Sequence, residues 1–119
     1  MISARKFGKS LRYAWRGLVT VFVHEHSFRV HFLALIALVA VVLVLRVRTL
    51  DAALLIVVTM IVLVLELVNS VFERFIDIVE PRVGERVRDL KDIMAGAVLV
   101  SSVGALAVGL IVIIPYLTR

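Results

Sequence analysis

A chain of 119 residues is long enough for one domain and too short for two. Hydrophobic residues make up 62% of it and 19% is charged, with a net charge of +5; soluble domains carry only about 45–50% apolar residues. The absence of cysteine and the presence of only two prolines and six glycines exclude a disulfide scaffold and collagen-like or linker-like chains. So much apolar surface must segregate from the charge, which points to a small all-α integral membrane protein.

Residues 4–29 come first. Phe7, Leu11, Trp15, Leu18 and Phe22 recur at helical spacing and share one face, while Lys6, Lys9, Arg12 and Arg16 fill the rest. This is the pattern of an interfacial amphipathic helix lying on an anionic lipid surface, with Trp15 at headgroup depth. Charge-free runs follow at 32–45, 52–65 and 93–117. About 20 helical residues cross the hydrocarbon core of a bilayer. The runs therefore predict membrane spans at 30–48, 51–72 and 92–117, separated by a tight outer turn at 46–51 and a cytoplasmic segment at 73–91. Arg46, Arg48 and Asp51 in the turn read as solvated. No signal peptide is expected, because the first apolar run starts near residue 30.

Basic residues set the orientation. Arg5, Lys6, Lys9, Arg12, Arg16 and Arg29 precede the first span, and Arg74, Arg82, Arg86, Arg88 and Lys91 lie between the second and third. Arg46, Arg48 and Arg119 fall on the other side. The excess places the N-terminus in the cytoplasm and the C-terminus outside, in a bacterial-type inner (plasma) membrane. In the third span Ala97, Ser101, Ala105 and Gly109 are each four apart, a small-residue face suited to close packing against a helix of this chain or another subunit.

The chemistry concentrates at the cytoplasmic end of the second span. Glu66, Asn69, Ser70, Glu73 and Asp77 fall within an arc of about 100° on a helix. Glu66 lies about 9 Å inside Phe72. A charged side chain at the bilayer centre costs about 2.5–3.5 kcal/mol on insertion scales, so Glu66 needs a partner or a task. Glu25, Lys91 and Asp92 lie at the same boundary. Two or three carboxylates and a lysine suit a Mg²⁺–nucleotide, since Mg²⁺ takes one or two carboxylates together with phosphate oxygens and water, and lysine offers phosphate a point charge. A deeper carboxylate can take a proton from a lipid hydroxyl. The depth ordering suggests phosphoryl transfer from ATP to a membrane alcohol.

The blocks Glu66-x-x-Asn69-Ser70-x-x-Glu73-x-x-x-Asp77 and Lys91-Asp92-x-x-Ala95-Gly96-Ala97-Val98 resemble the small prokaryotic diacylglycerol kinase and undecaprenol kinase family. Ala14-Trp15-Arg16-Gly17-Leu18 and Glu25-x-x-Phe28-Arg29 match in the same order, so the likeness covers nearly the whole chain. It implies a homotrimer of three-span subunits, each with an N-terminal amphipathic helix, using MgATP in sites built between subunits. It makes Glu66 the general base with Asn69 beside it, gives Mg²⁺ to Glu25 and Glu73, and places Lys91, Asp92, Asp77, Tyr13 and Lys6 toward the nucleotide. The segment 80–85 departs from the family's usual Tyr-His-containing loop. Phe28-Arg29-Val30-His31 is more similar to the undecaprenol kinase branch than to the diacylglycerol branch.

Two other uses of the pattern stay open: a small oligomeric channel or transporter with an acidic stripe, and a non-catalytic assembly subunit that uses only the small-residue face. Other signals carry less. Gly8-Lys9-Ser10 lacks the P-loop glycine, the position being Ser3. His24, His26 and His31 do not share a helical face and read as interfacial, not metal-binding. The basic helix is tied to a membrane, so anionic lipid and not nucleic acid is its expected partner.

Overall fold

The computed structural model describes residues 3–82 and 84–119. Four helices follow one another: α1 (Ala4–His24), α2 (His26–Leu45), α3 (Thr49–Val79) and α4 (Glu85–Thr118). Among the described residues there is no strand. Of the four, α2, α3 and α4 are long and apolar enough to cross a membrane, and the chain is a multi-pass membrane protein. α3 lies between α2 and α4 and packs along both, while α1 touches α2.

Each boundary has a local cause. Ser3 caps α1, its hydroxyl oxygen accepting from the Lys6 N–H at 3.2 Å. The sequence pattern carries the amphipathic element to residue 29, but α1 stops at His24 and Glu25 takes an extended conformation (φ −112°, ψ 108°). The stop is tertiary. Arg29 Nη1 donates to the carbonyls of Phe22 at 3.0 Å and Val23 at 2.8 Å, satisfying the helix end that would otherwise be orphaned. The chain then turns into α2 with Phe28 buried. At the other end of α2, Arg46 adopts the left-handed region (φ 51°, ψ 53°), and the Val47 N–H returns to the Val42 carbonyl at 3.1 Å, the closure of a Schellman-type cap. A non-glycine residue in this region costs about 1–2 kcal/mol.

α3 and α4 are longer than the predicted spans. At about 1.5 Å per residue, 31 residues reach roughly 46 Å and 34 reach roughly 51 Å, against about 30 Å of hydrocarbon. Most of the segment 73–91 is therefore two helical extensions, and residues 80–84 alone lie between the helices; within that loop, Val83 of the divergent 80–85 segment lies outside the described residues.

The chain buries little. Val21, Phe28 and Leu63 form a small core with Phe32, Leu35 and Leu67 packed on it, and the Phe22 and Phe32 rings meet edge-on at 5.6 Å. Leu55, Val62 and Ile76 are the other buried apolar residues of α3. The apolar stripe of α1 is largely uncovered, with Trp15 69% exposed, as an element facing a membrane rather than its own core would be. The small-residue face of α4 is also open. A Cβ added at Gly104 or Gly109 would meet nothing within 4 Å, so the close approach these residues permit does not occur inside one chain. Ser102, Ala105 and Gly109 line instead a groove of about 400 Å³ that His31, Ala34 and Leu38 bound from α2.

The helix ends around the α2–α3 turn are joined. The Tyr116 hydroxyl donates to Asp51 Oδ2 at 2.6 Å and accepts from the Arg48 N–H at 3.0 Å. Arg119 Nη2 donates to the Leu45 carbonyl at 2.8 Å, and its guanidinium lies 4.6 Å from the Tyr116 ring centroid. Asp51 and Arg48 are thus parts of a clamp and not simply solvated turn residues. Asp51 also sits in the first turn of α3, where a negative charge favours the helix. Tyr116→Phe removes the hydroxyl and is expected to destabilise the fold by about 1–2 kcal/mol, measured by reversible denaturation in mixed micelles.

Candidate active site

The polar stripe predicted on the second span lies on α3 and runs toward the α1–α2 break. Glu66 is buried, 6% exposed, and Ser70 is buried at 3%. Glu66 Oε1 stands 3.2 Å from His31 Nε2. Glu25 and Glu73 are the other ionisable side chains whose charges act on Glu66. Glu25 Oε1 lies 3.8 Å from Arg74 Nη2, so the α1–α2 break and the C-terminal half of α3 meet through an ion pair. Asn69 turns its Oδ1 to a buried position where it has no hydrogen-bond partner among the described residues. An acceptor in such a place costs about 1–3 kcal/mol unless a donor from outside the chain reaches it.

One turn of α3 further on lies a second group. Lys91 Nζ donates to Asp77 Oδ1 at 2.7 Å, and Lys91, Asp92 and Asp77 line a cleft of about 170 Å³ beside Arg82 and Arg88. Lys91 also feels the charge of Glu73, which links the cleft to the carboxylates around Glu66. The α3–α4 extensions thus carry a basic and acidic mouth next to a buried carboxylate.

Two predicted site residues are not part of either group within one chain. Lys6 and Tyr13 are exposed on α1. Lys6 engages its backbone with Ser3 and Ser10, and the Tyr13 ring lies 5.8 Å from the Arg16 guanidinium. Nineteen residues of helix separate Lys6 from Glu25, about 28 Å. In the other direction, the sequence pattern set His31 aside although it is the side chain in contact with Glu66. Its partner lies 35 positions away on another helix, so no local spacing could reveal the pair.

The donor set suits magnesium in kind. Among the described residues no three His, Cys, Asp or Glu side chains come close enough to cage a metal. Magnesium seldom uses a protein cage; it keeps waters and takes one or two carboxylates with phosphate oxygens. Glu25, paired with Arg74 on α3 at 3.8 Å, and Glu73, the residue before Arg74, are carboxylates of that kind.

The prokaryotic diacylglycerol kinase family model matches residues 12–113. The chain belongs to this family, a family of lipid kinases. It is 32% identical over 110 residues to a diacylglycerol kinase of Synechocystis sp., covering 89% of this chain and 61% of the relative. It is 31% identical over 101 residues to the diacylglycerol kinase of Escherichia coli K12, covering 82% of this chain and 80% of that protein. The Shigella flexneri diacylglycerol kinase gives the same identity and coverage. This chain thus spans less than two thirds of the Synechocystis protein's length and most of the enterobacterial ones. The matched region holds Tyr13, Glu25, Glu66, Asn69, Glu73, Asp77, Lys91 and Asp92, and leaves Lys6 outside it.

At the mouth of the α3–α4 cleft the Asp77 hydrogen bond and charge raise the Lys91 pKa above its ordinary 10.5. A raised lysine pKa means the pair favours the folded state fully below the unfolded value and loses that contribution as pH climbs through the raised one. Both side chains are solvent-facing, so the pair adds little stability; its effect is to keep the ammonium charged and placed. Asp77→Asn is expected to bring the Lys91 pKa down toward 10.5, followed by the pH dependence of the Lys91 ¹³Cε resonance.

Proposed function

We propose that the protein is an ATP- and Mg²⁺-dependent kinase that phosphorylates the hydroxyl of a membrane lipid, diacylglycerol or undecaprenol, where the bilayer meets the cytoplasm. The observation that carries this reading is Glu66: a buried carboxylate in a membrane helix, contacted by His31 and flanked by Glu25 and Glu73. A carboxylate kept there at a cost serves best as a base for a hydroxyl presented from the lipid phase. The relatives' printed names, each a diacylglycerol kinase, support the same class of reaction. The Phe28-Arg29-Val30-His31 run supports the polyprenol as acceptor.

In this reading the lipid hydroxyl approaches Glu66 laterally. Its proton passes to Glu66 as the oxygen bonds to the γ-phosphorus of ATP; the bond to the β–γ bridging oxygen breaks, and ADP leaves with that electron pair. Lys91 offers phosphate a point charge, and Asp77 holds its ammonium in place. Asp92 contacts the nucleotide from the same cleft, while Glu25 and Glu73 would hold Mg²⁺, which when bound neutralises phosphate charge. Asn69 orients beside Glu66, its free Oδ1 accepting from a donor that the substrate brings. Such transfer depends on positioning and electrostatics more than on covalent chemistry by the protein.

We also infer a homotrimer with its N-terminus in the cytoplasm and α1 on an anionic lipid surface. Three features support assembly: the open small-residue face of α4, the sparse core, and the distance of Lys6 and Tyr13 from the carboxylates of their own chain. A neighbouring subunit's α1 can bring that pair to the nucleotide.

Purified protein with radiolabelled ATP, Mg²⁺ and either lipid in mixed micelles is expected to move label into one organic-phase product, and chelation by EDTA to stop it. Glu66→Gln is expected to lower turnover by about 10²–10⁴-fold while the oligomer still forms. No transfer to either lipid, or cation flux in liposomes without ATP, would overturn the kinase reading.

A further inference from the structure

Glu66 has one close ionisable partner among the described residues, and the reaction outlined above does not use it. His31 sits in the second turn of α2, its side chain 27% exposed, with Nε2 3.2 Å from Glu66 Oε1. Two electron-rich atoms cannot rest at that distance without a proton between them. With Glu66 ionised, as the proposed base must be, that proton is on His31 Nε2, facing the carboxylate.

The surroundings narrow what His31 does. It lines the groove between α2, α3 and α4, whose other members include Ala34, Leu38, Val62 and Ala105. The two hydroxyl-bearing residues there are already engaged: Thr59 donates to the Leu55 carbonyl at 2.8 Å and Ser102 to the Val98 carbonyl at 2.8 Å. Polarity at the groove's inner end thus comes from His31, with Glu66 directly behind it. Among the described residues no arginine or lysine is within ion-pair distance of Glu66.

We propose that His31 is a positioning residue for Glu66: its Nε2–H engages one carboxylate oxygen, fixes the side chain's rotamer and leaves the second oxygen free to receive the lipid hydroxyl's proton. The proposal rests on the lipid kinase reading. A histidine suits the task better than an arginine or lysine would. A permanent cation at 3.2 Å would hold the carboxylate so strongly ionised that its appetite for a proton would fall, whereas imidazole can orient Glu66 without quenching it as a base. His31 touches Glu66 and not the nucleotide groups on α4, so its loss strikes the chemical step and leaves ATP binding alone.

The wild-type protein and Glu66→Gln are assayed first; no lipid phosphorylation by the wild type would overturn the kinase reading and this proposal together. With transfer established, His31→Leu, which fills the apolar groove without a donor, is expected to lower kcat about 10- to 100-fold and leave KM for MgATP within about twofold. His31→Gln keeps an N–H donor and is expected to recover kcat to within about threefold of the wild type. Unchanged kcat in His31→Leu, or equal loss in the Leu and Gln variants, overturns the proposal while the kinase reading stands. Should His31→Leu fail to assemble, the Glu66 carboxyl ¹³C resonance, assigned by its absence in Glu66→Gln, decides: it must move in His31→Gln, and an unmoved resonance overturns the contact's role.

Discussion

An ionised side chain is hard to keep in an apolar helix bundle, and the architecture around Glu66 follows from that difficulty. A carboxylate at 6% exposure must find a donor, exclude competing cations that would lock it, and still be reachable from the lipid. The α1–α2 break supplies the first requirement, since turning the chain at Glu25 brings the start of α2, and with it His31, against α3. Arg29 capping the end of α1 is what makes the break stable. The apolar cluster of Val21, Phe28 and Leu63 holds the three elements together at that point. The chain thus puts its one compact core beneath its buried charge.

Charge is graded along α3. Asp77 is exposed, Glu73 half-buried and Glu66 buried, over a rise of about 17 Å. Water-soluble and lipid-soluble reactants can meet along such a gradient without either crossing into the other's solvent. The extensions of α3 and α4 beyond the hydrocarbon carry the wet end, and the groove under His31 opens at the dry end. A single helix thus carries one continuous polar stripe from exposed to buried surroundings.

Much of this was legible in the linear chain because bilayers impose strict rules. The charge-free runs found α2, α3 and α4, and the hundred-degree arc found Glu66, Asn69, Ser70, Glu73 and Asp77. What escaped was everything set by contact across sequence distance. His-Ser-Phe-Arg at 26–29 contains no glycine or proline, so nothing local ends α1; the stop comes from a guanidinium folding back on carbonyls six and seven residues earlier. His31 looked idle because its spacing to two other histidines is wrong, while its partner is on α3. Asp51 looked solvated because Tyr116 is 65 positions away. The small-residue face was seen correctly as a face, yet spacing alone cannot say which helix it meets, and Gly104 and Gly109 meet none within the chain.

The stitching at the Tyr116 end of the bundle has a mechanical consequence. Tyr116 ties α4 to the start of α3, and Arg119 reaches the last carbonyl of α2, so three helices share one knot. The apolar cluster of Val21, Phe28 and Leu63 fastens α2 to α3 again toward the opposite end, so α2 is held like a rung at both tips and the groove beside it keeps its width.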